Sequence, residues 1–89
     1  MGGAGKTPVV QSMADSLKSR NPHILTRGYG GQEAGPLLVD PDRHTAHDVG
    51  DEALLHARTA PTWIARDRVA GCKAAEAGGA GMILMDDGF

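Results

Sequence analysis

Met1-Gly2-Gly3-Ala4-Gly5-Lys6-Thr7-Pro8 opens the chain, and the way it is read decides the fold. Three glycines lead into Gly-Lys-Thr, and an amphipathic helical pattern follows at once. Glycines let consecutive backbone N–H groups turn into one concave nest that cradles polyphosphate oxygens. Lys6 would carry a point charge to the outer phosphates, and the Thr7 hydroxyl would ligate Mg²⁺. The helix behind the loop adds the positive end of its dipole. The stretch therefore reads as the core of a phosphate-binding loop, Gly3-Ala4-Gly5-Lys6-Thr7, and predicts that the chain handles a nucleoside triphosphate. The longer pattern G-x-x-x-x-G-K-[ST] would set its first glycine ahead of Met1, so the match is to the core of the motif. A plain glycine turn before a helix is the other reading of these residues taken alone.

Outward from the loop, Val10, Met13, Ala14 and Leu17 fall at i, i+3, i+4, i+7 and predict one apolar helical face over residues 6–20. Pro8 sits in the first turn of that helix, and Asn21-Pro22 stops it. His23-Ile24-Leu25-Thr26 reads as a short strand, followed by the glycine-rich loop Arg27-Gly28-Tyr29-Gly30-Gly31. Pro36-Leu37-Leu38-Val39 predicts a second strand. Residues 50–60 read as a helix with Leu54 and Leu55 inward and Asp51-Glu52 in its first turn. Pro61 to Ala65 is a strand. Residues 66–77 form a helix with Ala70, Ala74 and Ala77 on one face, closed by Gly78-Gly79. Gly81 to Met85 is an apolar run of the kind found in a strand covered on both faces. Strands alternating with helices predict an α/β fold: a partial P-loop-type parallel sheet with flanking helices, one domain over residues 1–89.

The composition bounds the function. Eighty-nine residues with a net charge of −2 carry no basic footprint for nucleic acid. Three aromatic residues, Tyr29, Trp63 and Phe89, leave few large side chains for a core. The single cysteine, Cys72, excludes an internal disulfide and fits a reducing compartment; it reads as a small helix hydrophobe. The longest apolar stretch, Met82 to Met85, is far short of a membrane span.

The last strand is the second chemical signal. Four apolar residues followed by Asp86-Asp87 have the layout of a Walker B strand. In an open parallel sheet, ligands bind beyond the carboxyl ends of the strands, so Asp86 would emerge beside the phosphate loop and hold Mg²⁺ directly or through water. Asp51 and Glu52 suit a helix start on dipole grounds alone. His44-x-x-His47-Asp48 lies in a polar stretch without cysteine support and reads as a solvated loop. Arg27, between a strand end and glycines, would meet a phosphate or water; spacing does not choose.

Taken together, Gly2 to Pro8, Thr26-Arg27-Gly28-Tyr29-Gly30-Gly31, Gly35 to Asp40, Val49-Gly50-Asp51-Glu52, Arg66-Asp67-Arg68 and Asp86-Asp87-Gly88-Phe89 resemble, in order and spacing, the tetraacyldisaccharide 4′-kinases, the lipid A 4′-kinases of Gram-negative bacteria. The resemblance covers nearly the whole chain. It implies transfer of the ATP γ-phosphate to the 4′-hydroxyl of a tetraacyl glucosamine disaccharide 1-phosphate (the lipid A disaccharide), at the cytoplasmic face of the inner membrane. It implies that Gly2, Gly3, Ala4, Gly5, Lys6 and Thr7 bind the phosphates, with Lys6 also catalytic. It further implies that Asp51 activates the sugar hydroxyl, that Thr7, Glu52 and Asp86 hold Mg²⁺, and that Asp87 lies near the phosphates. The family's membrane-associated helix, its first strand and its C-terminal half have no counterpart in these residues, and the histidine that partners Asp51 would lie beyond Phe89. Ala53 stands where the family usually has proline. The expectation is a kinase domain truncated at both ends, contacting the membrane only through regions outside the chain, weakly folded or self-associating and inactive alone. Two other readings stand beside it: a partition-type switch ATPase, whose usual lysine before the paired glycines is here Met1, and a remnant without turnover. The kinase reading also predicts that Lys6, Thr7, Asp51, Glu52 and Asp86 converge at one edge of the sheet.

Overall fold

The computed structural model describes the backbone of residues 2–86 and the side chains of residues 9–86. The elements run α1 (Gly2–Ser16), a 3-10 turn at Lys18–Arg20, β1 (Pro22–Thr26), β2 (Leu37–Leu38), α2 (Ala46–Val49), α3 (Asp51–Ala57), β3 (Thr62–Ile64), α4 (Arg68–Ala77) and β4 (Met82–Met85). The four strands form one sheet in the order β2-β3-β1-β4. β1 is flanked in parallel by β3 and β4, with Ile24 opposite Thr62 on one side and Leu84 on the other. Every residue of β1 is buried, as expected for a strand between two others and between two helical layers.

The sheet is not parallel throughout. β2 runs antiparallel to β3, pairing Leu37 with Ile64 and Leu38 with Trp63. Residues 27–36 carry no crossover helix, so the chain leaves the carboxyl end of β1 and turns back beside the sheet, which leaves β2 running the other way.

α1 and α3 cover one face. Ala14 packs with Ile24 and Leu84, and Val10, Leu17, Ala60 and Met82 lie against them. Val39, Val49, Ala53 and Ile64 form the second cluster, with Leu37, Leu54 and Ala57 around it. Full burial of side chains such as Ile24 and Ile64 contributes about 1.5–3 kcal/mol each. α4 covers the other face. A Cβ at Gly71 would lie 2.7 Å from a Leu25 methyl and 2.8 Å from the Ala65 Cβ, so only glycine lets the helix come this close.

Helix boundaries and faces depart from the sequence pattern in five places. α1 begins at Gly2, not at Lys6, so the glycine stretch is helical here and Pro8 is interior. Carbonyls of this first turn accept i+4→i bonds from the residues that follow, whereas its N–H groups have no intrahelical partner. Met13 is 45% exposed, outside the buried stripe of Val10, Ala14 and Leu17. The polar stretch before Gly50 is not a loop but α2, closed at its start by a capping box between Thr45 and Asp48. Gly50, at φ 93°, breaks the backbone between α2 and α3, and a side chain there would drive into the Tyr29 carbonyl. In α3 the buried residues are Ala53 and His56, whereas Leu55 is 49% exposed. In α4 they are Gly71 and Ala75, not the alanines at 70, 74 and 77. Among the described residues, no helix is long and apolar enough to cross a membrane.

Candidate active site

β1, β3 and β4 end at the same edge, and the chemistry-bearing residues gather there. Asp86 directly follows β4. Its backbone N–H donates to the Leu25 carbonyl at 2.9 Å, which extends the ladder by one residue and holds the Asp86 backbone rigidly. The residue is 2% exposed. His56, in the last turn of α3 and fully buried, places its Nε2 2.6 Å from Asp86 Oδ2. Glu52 lies one helical turn earlier on the same face of α3. One ligand atom from each of Glu52, His56 and Asp86 can be chosen so that all three lie within 4.8 Å of one another. Two residues read from the sequence, Glu52 and Asp86, are thus brought together from positions far apart in the chain.

His56 was missed by the sequence reading. The available signal was the spacing Glu52-x-x-x-His56, which puts both residues on one helical stripe. Leu54 and Leu55, more apolar, had suggested a different inward face.

Asp51 and Arg27, also read from the sequence, lie among the described residues. Asp51 is the first residue of α3 and is exposed. The helix starts beside the glycine-rich loop: Gln32 N–H donates to the His47 carbonyl and Glu33 N–H to that of Asp48, both at 2.9 Å. A Cβ on Gly31 would collide with the backbone of Asp48 and Val49, so glycine permits this close approach. A cleft of about 290 Å³ opens here, lined by Arg27, Gly28, Tyr29, Gly30, Gly31 and Arg66. The Arg27 guanidinium stands 5.8 Å from the centre of the Tyr29 ring, within cation–π range. Arg66 is tied at its N–H to the Ala34 carbonyl. The edge therefore offers a carboxylate–imidazole group and, at the end of β1, a cleft with two guanidinium groups.

The backbone of Gly2, Gly3, Ala4, Gly5, Lys6 and Thr7 belongs to α1. This helix leads through residues 17–21 straight into β1 and packs back along it. The side chains of Lys6 and Thr7 lie outside the described residues, as do Asp87, Gly88 and Phe89. The Asp67 carboxylate caps α4, accepting from Val69 N–H at 2.9 Å and Ala70 N–H at 3.3 Å.

The model of the tetraacyldisaccharide-1-P 4′-kinase family matches residues 1–89, the whole chain. The chain belongs to this family. Curated relatives include the tetraacyldisaccharide 4′-kinases of Parvibaculum lavamentivorans, 61% identical over 99% of this chain, and of Gluconacetobacter diazotrophicus, 60% identical over the same share. The chain spans 26% and 28% of the length of these two kinases. Among solved structures, LpxK from Aquifex aeolicus in complex with ATP superposes with a TM-score of 0.84 at 32% identity. That match covers 99% of this chain and 30% of the other. The α/β sheet with helices on both faces is thus the family's fold over this segment.

Proposed function

We propose that these residues form the nucleotide- and metal-handling part of an ATP-dependent kinase that phosphorylates the 4′-hydroxyl of a tetraacyl glucosamine disaccharide 1-phosphate. The observation that carries this reading is the meeting of Glu52 and Asp86 at the carboxyl edge of the sheet. The ATP complex of the Aquifex protein, similar over nearly all of this chain, supports ATP as the donor.

The donor chemistry suits Mg²⁺. Carboxylate oxygens and a threonine hydroxyl are hard ligands, and oxygens on opposite sides of one Mg²⁺ lie about 4.2 Å apart. A carboxylate oxygen of Glu52 and one of Asp86 already lie within 4.8 Å of each other and need move only slightly to meet that spacing. Thr7, Glu52 and Asp86 would hold the ion, which when bound neutralises charge on the phosphate oxygens.

The chain's own residues do the rest. Backbone N–H groups from Gly2 to Thr7 and the Lys6 ammonium hold the phosphates, and Lys6 stabilises charge on the transferring group. This role needs the Gly2–Gly5 backbone to leave the helical form for a nest. Asp87 adds a second carboxylate near the phosphates. Asp51, exposed at the start of α3, accepts the 4′-hydroxyl proton as the new O–P bond forms and the bond to ADP breaks. The cleft at Arg27, Tyr29 and Arg66 lies beside α3 and offers an aromatic face and cations to a phosphorylated sugar. The lipid acceptor and the cytoplasmic face of the inner membrane, reached through residues outside this chain, complete the proposal.

Kinetics test it in a graft: residues 1–89 replacing the matching quarter of the Parvibaculum kinase. Asp51→Ala should lower kcat about 10²-fold or more while ATP affinity holds, because a base acts on the acceptor. Lys6→Ala should also lower kcat. Undiminished turnover in Asp51→Ala would return Asp51 to a helix-dipole role.

A further inference from the structure

His56 is fully buried, yet no motif assigns it a role. Its Nε2 meets Asp86 Oδ2, while Nδ1 is buried without a hydrogen-bond partner among the described residues. With Asp86 ionised, as a cation ligand is, its carboxylate only accepts, and Nε2 then carries the hydrogen and donates it to Asp86. A leucine of similar bulk would avoid the unsatisfied nitrogen, so stability alone does not account for an imidazole here. What the imidazole supplies is directional. A short hydrogen bond to Oδ2 restrains rotation of the Asp86 carboxylate about its Cβ–Cγ bond. Glu52 and His56, four residues apart on α3, reach the group from one rigid helical stripe.

We infer that His56 is a positioning residue, whose Nε2–H fixes the Asp86 carboxylate in the orientation that, with Glu52, receives a divalent cation. The inference rests on the cation-holding role of Asp86 proposed above. Hydrogen-bond partners of ligating carboxylates orient them and tune affinity in the same way at metal sites generally.

Mn²⁺ alone, followed by electron paramagnetic resonance, is the probe. Its binding is measured for the original protein, His56→Leu and His56→Gln, in the 89-residue chain and in the Parvibaculum graft. His56→Leu should weaken Mn²⁺ about tenfold, the lower end of such second-sphere effects, with melting temperature unchanged or raised. His56→Gln, whose amide N–H reaches the place of Nε2–H, should restore affinity close to the original. Equal affinity in all three proteins overturns the inference, as do equal losses in both variants or absence of saturable Mn²⁺ binding in the original. Phosphoryl transfer is recorded separately: its failure with the Mn²⁺ pattern intact rejects the kinase reading and leaves the positioning role standing.

Discussion

His23 shows how one residue couples this fold to pH. It is 5% exposed on β1, its ring stacks beside Trp63, and its Nδ1 accepts the Trp63 Nε1–H at 3.0 Å. Burial pushes its pKa below the ordinary histidine value of 6.5. The unfolded chain therefore takes up this proton at a higher pH than the folded one. The stabilisation is fully present above about pH 6.5 and is lost progressively as pH falls towards the lowered folded value. Denaturant midpoints should thus fall between pH 7.5 and pH 5, with Trp63 fluorescence reporting the change, and His23→Gln should flatten that step. A profile unaltered by His23→Gln would contradict the assignment. Asp48 titrates in a different window. Backbone and side-chain hydrogen bonds from Thr45 hold its carboxyl below 3.8, so its share is present above that pH and is lost only in stronger acid. At this scale the sequence was half legible. Asp86 announced itself as an aspartate closing an apolar strand. His56 did not, because its partner is 30 residues away and becomes visible only when α3 docks beside β4.

At the scale of elements, strands were read more accurately than helical faces. The run Ile24-Leu25 buries side chains on both sides of the sheet, and in β4 Leu84 is buried with Ile83 half-buried, so the apolar runs mark the strands. β4 nonetheless lacks the cover on both faces that its sequence predicts. The inward face is read from Leu54 and Leu55 in α3 and from the alanine row Ala70, Ala74 and Ala77 in α4, and both readings miss the residues that are fully buried. The tight sheet–helix spacing selects Ala53, Gly71 and Ala75 for the inside and turns Leu55 outward. α2 escaped notice because it is short and polar and is held by its capping box rather than by an apolar stripe. α4 offers a test that separates structure from chemistry. Asp67 sits in the stretch Arg66-Asp67-Arg68, one of those on which the resemblance rests, but its carboxylate caps the helix. Asp67→Ala should cost about 1 kcal/mol in urea unfolding, and Asp67→Asn, which keeps an acceptor oxygen, much less. In the graft, kcat should be retained in Asp67→Asn. A large loss of turnover there, without loss of stability, would instead place Asp67 in the reaction.

For the whole molecule, the sheet brings together a carboxylate pair, a cationic cleft and the helix that carries the glycine–lysine–threonine stretch. The alternation of strands and helices was enough to expect this edge. The antiparallel course of β2 was not readable, since strand direction follows from how a connection turns and not from residue pattern. Among the described residues β4 is an edge strand with Met85 45% exposed, and its outer N–H and C=O groups are open to a further strand. The kinases it resembles are almost four times as long, and the graft supplies that surrounding chain. The most direct measurement is therefore transfer of labelled γ-phosphate from ATP to a tetraacyldisaccharide 1-phosphate by the Parvibaculum kinase carrying residues 1–89. The expected result is a 4′-phosphorylated product that requires Mg²⁺ and disappears when Glu52 and Asp86 are both replaced by alanine. A folded graft that binds ATP yet forms no product, or one that turns over equally well without those two carboxylates, would contradict it.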